Sequence, residues 1–412
     1  MTLSSVAAIG AVSAYAGGSD SQGANTPRFS IRTLTAGPKH HFFGYYGISP
    51  WNQSGCALVC LETDFQDHMP SPEQPASIGL VDAKTGQFTK ISETRAWNFQ
   101  QGAMLHWDPR NPERGILFND RWDGRIVSVA LDVRSSQKRY LPRPISAVSH
   151  NGKHALSLTY GRLRRLRPVV GYPGAKDPNP KSPAPDNDGV FLMDLTTGKT
   201  QLVVSIAKVY RRLLKAHPEL RRRHMWFNHT VFNRDDTRFL FLARANLGRG
   251  VGRRSAMFTA NLDGSDLREV VPYGKRVSHF DWRGTTQILA TFKPDSNETK
   301  HVLFTDGRND YRQIGRGFLV GDGHCTFGPD RNWLVTDPKV PRSKARLLQI
   351  YNIETKAGLV LGTFPLGKYH TGDLRCDLHP RWKRTGDAIC FDAIETASGT
   401  RQLHVVELDF SD

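Results

Sequence analysis

Apolar residues along this chain fall in short runs, not in the three-to-four-residue rhythm of amphipathic helices. Runs such as Cys56–Leu61, Gly115–Phe118 and Phe239–Ala243 are bounded by clusters of Gly, Asp, Asn and Ser, the pattern of short strands joined by tight turns. The runs recur in a fixed order. An aromatic or histidine-bearing segment comes first, then a polar turn, an apolar strand, a second strand and a turn of the D-x-x-T-G kind. The first copy opens at His41-Phe42-Phe43-Gly44-Tyr45-Tyr46 and reaches the turn Lys84-Thr85-Gly86. Later copies open near Gln101, Ala147, Asn228, Val277, Gly323 and Leu378. The second and third are the least regular. Seven units of this composition predict an all-β chain folded as one seven-bladed β-propeller over residues 28–412.

Two segments break the repeat. Residues 161–188 are basic and then rich in Pro and Gly, which predicts a long loop on one rim. Residues 203–224 predict a helix with Val204, Ile206, Ala207, Tyr210, Leu213 and Leu214 on its apolar face and many arginines elsewhere. Those arginines read as an anion-facing rim or as a solvated helix face. Residues 1–27 read as a leader or flexible N-terminus. Ala14-Tyr15-Ala16 resembles a signal-peptide cleavage site, but a basic n-region is missing, so the expected location is secreted or periplasmic on this feature alone.

Charge changes the picture. The formal net charge of +17 points to an acidic partner, either a polysaccharide, a nucleic acid or an anionic surface. No apolar run is long enough to span a membrane, and the basic stretches lack the interleaved aromatics of a nucleic-acid platform. Neither a membrane nor a nucleic acid is therefore expected as partner. Five cysteines without a CxxC pair exclude a dense disulfide framework, and Cys56 and Cys60 are expected on one face of a strand.

In a propeller the first strand of each blade lines the central channel. Four successive copies place a histidine there: His229, His279, His324 and His379. The ring brings these imidazoles together, as a divalent metal site (Ca, Mn or Zn) or as a carboxylate-binding site. Cys325 and Cys376 beside them leave a His/Cys zinc site open. Strict alternation puts His41, Phe43 and Tyr45 on one strand face. His41, His106 and Tyr160 are candidate acid–base groups, and Tyr45, Gln101, Arg121, Arg162 and Arg381 are candidate substrate contacts, the arginines as carboxylate clamps. There is no G-x-S-x-G elbow, no P-loop and no H-E-x-x-H. A set of His, Tyr, Arg, Asn and Gln without paired carboxylates disfavours a two-carboxylate glycosidase and suits β-elimination at a uronic acid.

The segments His41–Tyr46, Gly323-His324-Cys325 and Cys376-Asp377-Leu378-His379-Pro380-Arg381-Trp382 resemble the propeller polysaccharide lyases, a group that includes oligogalacturonate, ulvan and rhamnose–glucuronate lyases. The resemblance spans residues 38–409 at the level of blade pattern. It implies a His, often with a Tyr, as acid–base group, Arg or Asn against the uronate, and a channel metal without an organic cofactor. The expected partner is an acidic oligo- or polysaccharide, cleaved by a monomer, with rhamnose–glucuronate linkages favoured. A glycoside hydrolase or a non-catalytic binding scaffold on the same fold are the alternatives.

Overall fold

The computed structural model describes residues 26–248, 251–295, 297–340, 342–368 and 370–411. The leader-like residues, Ala14-Tyr15-Ala16 included, lie outside them. Seven four-stranded antiparallel sheets form the ring, and in six of them the strands follow one another in chain order. The inner strands are His40–Phe42, His106–Trp107, Ala147–Val148, Met225–Phe232, Phe280–Arg283, Thr326–Phe327 and Arg381–Trp382. All but the fourth are two to four residues long.

The ring is closed by its two chain ends. Arg28–Thr33 pairs with Arg401–Asp409 as the outer strand of the seventh blade, in register from Arg28↔Asp409 to Thr33↔His404. Blade faces bury one another. Between the sixth and seventh blades, Trp333, Val335 and Ile350 pack with Leu378, Trp382 and Phe391. The aromatic residue that recurs in the inner strands has a second task. Trp107 Nε1 donates to Pro50 O (2.6 Å), Trp282 Nε1 to Val231 O (3.2 Å) and Trp382 Nε1 to Thr326 O (3.2 Å). Each indole thus ties its blade to the innermost backbone of the blade before it, at about 1 kcal/mol per bond.

The D-x-x-T-G turns work as Asx turns. Asp82 Oδ1 accepts from Lys84 N (3.0 Å), Thr85 N (2.7 Å) and Thr85 Oγ1 (2.9 Å), and Asp194 does the same for Thr196 and Thr197. Gly86 follows at φ +75°, where a β-carbon would lie 1.8 Å from Leu34 O. Only glycine fits there.

Three expectations need correction. The predicted helix over 203–224 is shorter: α1 (Tyr160–Leu166) lies within the segment expected as loop, and α2 covers only Ile206–Leu214. Residues 200–205 complete a strand of the third blade, Ser205 caps α2 through Lys208 N (3.2 Å), and Pro218 starts a separate short turn. Alternation fails after Phe42. Gly44 at φ +85° turns the chain against Gly102, and Tyr45 and Tyr46 both enter the channel, ring centroids 5.2 Å apart. Cys56 precedes its strand and is exposed, whereas Cys60 is buried.

Candidate active site

Because each blade is a simple antiparallel meander, two sets of connections share one end of the ring. These are the links from one outer strand to the next inner strand and the turns between second and third strands. A cavity of about 540 Å³ opens at that end. A second, of about 480 Å³, opens at the other. Tyr45 and Tyr46 line both and separate them. Tyr46 Oη is fixed between Phe280 O and Phe280 N (3.3 Å each).

The first cavity collects four predicted histidines and Tyr45. His229 sits on a bulge of the fourth inner strand, where the register shifts between Asn228 and Val231. Its backbone is left-handed (φ +57°), as is that of His379 (φ +46°). Both conformations are uncommon outside glycine and re-aim a side chain that regular strand geometry would direct elsewhere. His229 Nδ1 meets Tyr45 Oη at 3.0 Å. Burial, with Arg244 adding to it, holds the His229 imidazole well below its usual range, so the ring is neutral near pH 7. Burial raises the Tyr45 phenol, which stays protonated.

The other three imidazoles form a row, with ring centroids 4.1 Å apart from His279 to His324 and 4.3 Å from His324 to His379. His279 Nδ1 bonds Asp322 Oδ1 (2.8 Å), which also accepts from Thr291 Oγ1 (2.7 Å). That leaves His279 Nε2 for chemistry. His324 Nδ1 bonds the buried Asp337 (2.9 Å to Oδ1). Asp337 also accepts from the backbone N–H groups of His324 (2.7 Å), Leu378 and His379 (3.1 Å each), fastening the starts of two blades together.

His324, Asp377 and His379 bring one donor atom each within 4.8 Å of one another. The donors fit a divalent ion. Burial keeps both imidazoles neutral, His379 Nδ1 is buried without a hydrogen-bond partner, and the His324–Asp337 bond is the carboxylate–histidine arrangement that orients metal ligands. The third donor is a carboxylate, not a thiol. Burial raises the Cys325 and Cys376 thiols, which stay protonated. Asp377 is braced by Arg375 Nε (2.7 Å to Oδ2) and by a close contact with Arg346.

The wall opposite is cationic. Arg244 is 4% exposed, donates to Ser255 Oγ (3.1 Å) and Val277 O (3.4 Å), and pairs with no carboxylate among the described residues. Burial lowers its pKa, and neighbouring Arg253 and Arg167 lower it further. All three line the cavity with Lys339. Buried charges are normally paired. An unpaired guanidinium beside two more can receive an anion.

The remaining predicted residues lie elsewhere. His41 is clamped between Gln402 Oε1 (3.0 Å) and Glu62 Oε2 (3.2 Å), where the first and seventh blades meet. His106 lines the opposite cavity, its Nδ1 on Met104 O (2.8 Å), and burial pushes its pKa down to about 4. Tyr160 donates to Ile145 O (3.1 Å) and stacks on Tyr172 at 4.3 Å. Arg162 holds four backbone carbonyls, those of Met225, Asn179, Ser182 and Pro183. Arg121 bonds Pro72 O, and Gln101 is buried with its backbone on Asn98 Oδ1 (2.8 Å). Arg381 is fully buried against Asp392 (2.8 Å). None of these lines the cavity that holds the four histidines.

Fold and site together define a seven-bladed propeller with a histidine-rich, cationic cavity at one mouth of its channel. No protein-family model matches the sequence, and no curated protein does. Among solved structures the chain is similar to an oligogalacturonate lyase in complex with manganese, at TM-score 0.64 and 13% identity over 93% of this chain and 96% of that one. It is similar to an oligogalacturonate lyase from Vibrio parahaemolyticus, at TM-score 0.61 and 13% identity over 93% and 97%. The propeller domain of the Trilobed protease from Pyrococcus furiosus also aligns, at TM-score 0.50 and 13% identity over 90% and 96%. Likeness at this identity carries the fold alone.

Proposed function

We propose that the chain is a polysaccharide lyase that cleaves a uronic-acid-containing glycan by β-elimination in this cavity. The observation that carries the proposal is the unpaired, buried Arg244 with Arg253 and Arg167, facing the same space as the oriented His279–Asp322 pair. A uronate carboxylate answers the guanidinium charge. Neutralising that carboxylate acidifies the C5 proton beside it. His279 Nε2 takes the proton, the electron pair forms the C4–C5 double bond, and the C4–O4 bond breaks. Tyr45, protonated and braced by His229, returns a proton to O4. A divalent ion held by His324, Asp377 and His379 would add Lewis acidity at the carboxylate. Oligogalacturonate lyases of the same fold act on an acidic oligosaccharide, so galacturonate and glucuronate beside rhamnose are the two sugars to test first. A secreted or periplasmic enzyme is the location that fits a polymeric substrate.

A hydrolase is disfavoured by the cavity's carboxylates. Asp322 is engaged by His279, and Asp377 by Arg346 and Arg375, so neither is free to serve as a proton-bearing acid. The test is incubation with gum arabic, ulvan, glucuronan and polygalacturonate while following the ultraviolet absorbance of the conjugated product. Absorbance rising on one glycan supports the proposal. Free sugar released without it establishes the hydrolase, and no product on any glycan favours the scaffold.

A further inference from the structure

The cavity is not the end of the positive surface. The link from the third blade's outer strand to the fourth blade's inner strand, residues 206–224, emerges on the same face as the cavity, because it is one of the outer-to-inner connections. It carries seven Lys or Arg against one acid, Glu219, and Glu219 pairs with His217. Arg211, Arg212, Lys215, Arg221, Arg222 and Arg223 are all exposed, and none forms an ion pair among the described residues. One close approach and one hydrogen bond join this shelf to the cavity wall. Arg223 Nη1 approaches Gly248, where a β-carbon would lie 3.8 Å from it, just past the strand that carries the cavity residue Arg244. Arg165 Nη2 lies 3.2 Å from His224 Nδ1, on the chain that continues to the cavity residue Arg167.

Like charges left unpaired along one path repel each other and are relieved by a ligand with negative charges at intervals. We propose that residues 211–223 form an extended exosite for the acidic polysaccharide beyond the sugar held in the cavity, so that the protein prefers long chains to short ones. The inference rests on the lyase reading for the identity of the chain. Repeated carboxylates, not phosphates, are the chemistry assigned, because the same chain must place a carboxylate at Arg244.

Binding is measured by calorimetry with full-length protein, using polygalacturonate and its trisaccharide as probes. The variants are Arg221→Gln/Arg222→Gln/Arg223→Gln and, separately, Arg211→Gln/Lys215→Gln, with circular dichroism confirming the fold. Wild type is expected to bind the polymer about tenfold more tightly than the trisaccharide at low salt, a preference that high salt erases. Each variant should shrink that ratio while binding the trisaccharide as before. An unchanged ratio in both variants, or equal binding of polymer and trisaccharide by wild type, overturns the exosite. So does a DNA duplex that binds more tightly through the same arginines. The two proposals fail separately. Unsaturated product without length preference sinks the exosite and keeps the lyase. Shelf-dependent polymer binding without product from any of the four glycans keeps the exosite and sinks the lyase.

Discussion

Buried arginines at two places in this ring, Arg381 with Arg401 at one and Arg244 at the other, differ in what answers their charge. Where the first and seventh blades join, Arg381 and Arg401 both pair with Asp392 (2.8 and 2.9 Å), and all three side chains are fully buried. Asp392 also accepts from Phe43 N (3.2 Å) and Gly44 N (3.0 Å), while the guanidinium groups lie over Phe43 and Phe42. Both oxygens of that carboxylate are used within the protein, and the side chain is shut off from solvent. Arg244 itself is buried nearly as completely, but among the described residues no carboxylate pairs with it. Burial of an arginine therefore does not mark a site. Burial without a partner, facing a cavity, does.

The sharpest way to break the comparison is Asp392→Ala. It leaves two guanidinium groups buried without their carboxylate at the ring closure, and should cost about 3–5 kcal/mol in denaturant unfolding. A loss under about 1 kcal/mol would mean the cluster is not what holds the first blade to the seventh. Arg244→Met should do the opposite. Activity on the substrate glycan falls about 100-fold, the size of losing one preorganised donor, while the melting temperature holds or rises. A stability loss as large as that of Asp392→Ala would make the two places equivalent.

Buried histidines give a third, smaller contrast. His301 is fully buried, both its ring nitrogens lack partners, and burial lowers its pKa to about 4. Unfolded, it titrates near 6.5. The neutral ring's contribution to stability is whole above that pH and is lost as the pH falls towards 4, amounting to about 3 kcal/mol. His301→Leu should therefore flatten the fall in stability between pH 6.5 and 4, measured by urea unfolding at each pH, without destabilising the protein at pH 7. The His324, Asp377 and His379 donor group makes the fourth test. Protein purified with manganese or zinc should retain the ion by elemental analysis, and His324→Ala should lose it with the fold intact. Retention of the ion by that variant would move the site.

Much of this was legible in the sequence. Blade boundaries stood out because Asx turns and inner-strand tryptophans repeat for local reasons, hydrogen bonds within four residues or to the adjoining blade. The channel histidines stood out because four copies share one position, three residues before the blade's inner aromatic residue, although only His229 lies within its inner strand and the other three lie just before theirs. What stayed hidden depends on ring closure. His41 was read as an acid–base candidate sharing a strand face with Tyr45, yet its ring is held by Glu62 of the next strand and by Gln402 on the last strand of the chain. Asp337 and Asp377 gain their roles only when the sixth and seventh blades meet. Arg244 left a trace: one arginine inside the apolar strand Arg238–Asn246. A charge in a strand that is otherwise buried signals either a compensating partner or a ligand, and only the three-dimensional neighbourhood tells which.

The central claim is that chemistry occurs at the mouth holding Arg244 and His279, not at the mouth holding His106. Initial rates of unsaturated-product formation by His279→Gln and His106→Gln, side by side with wild type on the responsive glycan, test it most directly. The account predicts a loss of about 1000-fold for His279→Gln, the scale of general-base removal, and a rate within about twofold of wild type for His106→Gln. The reverse pattern, or equal losses in both, would contradict it.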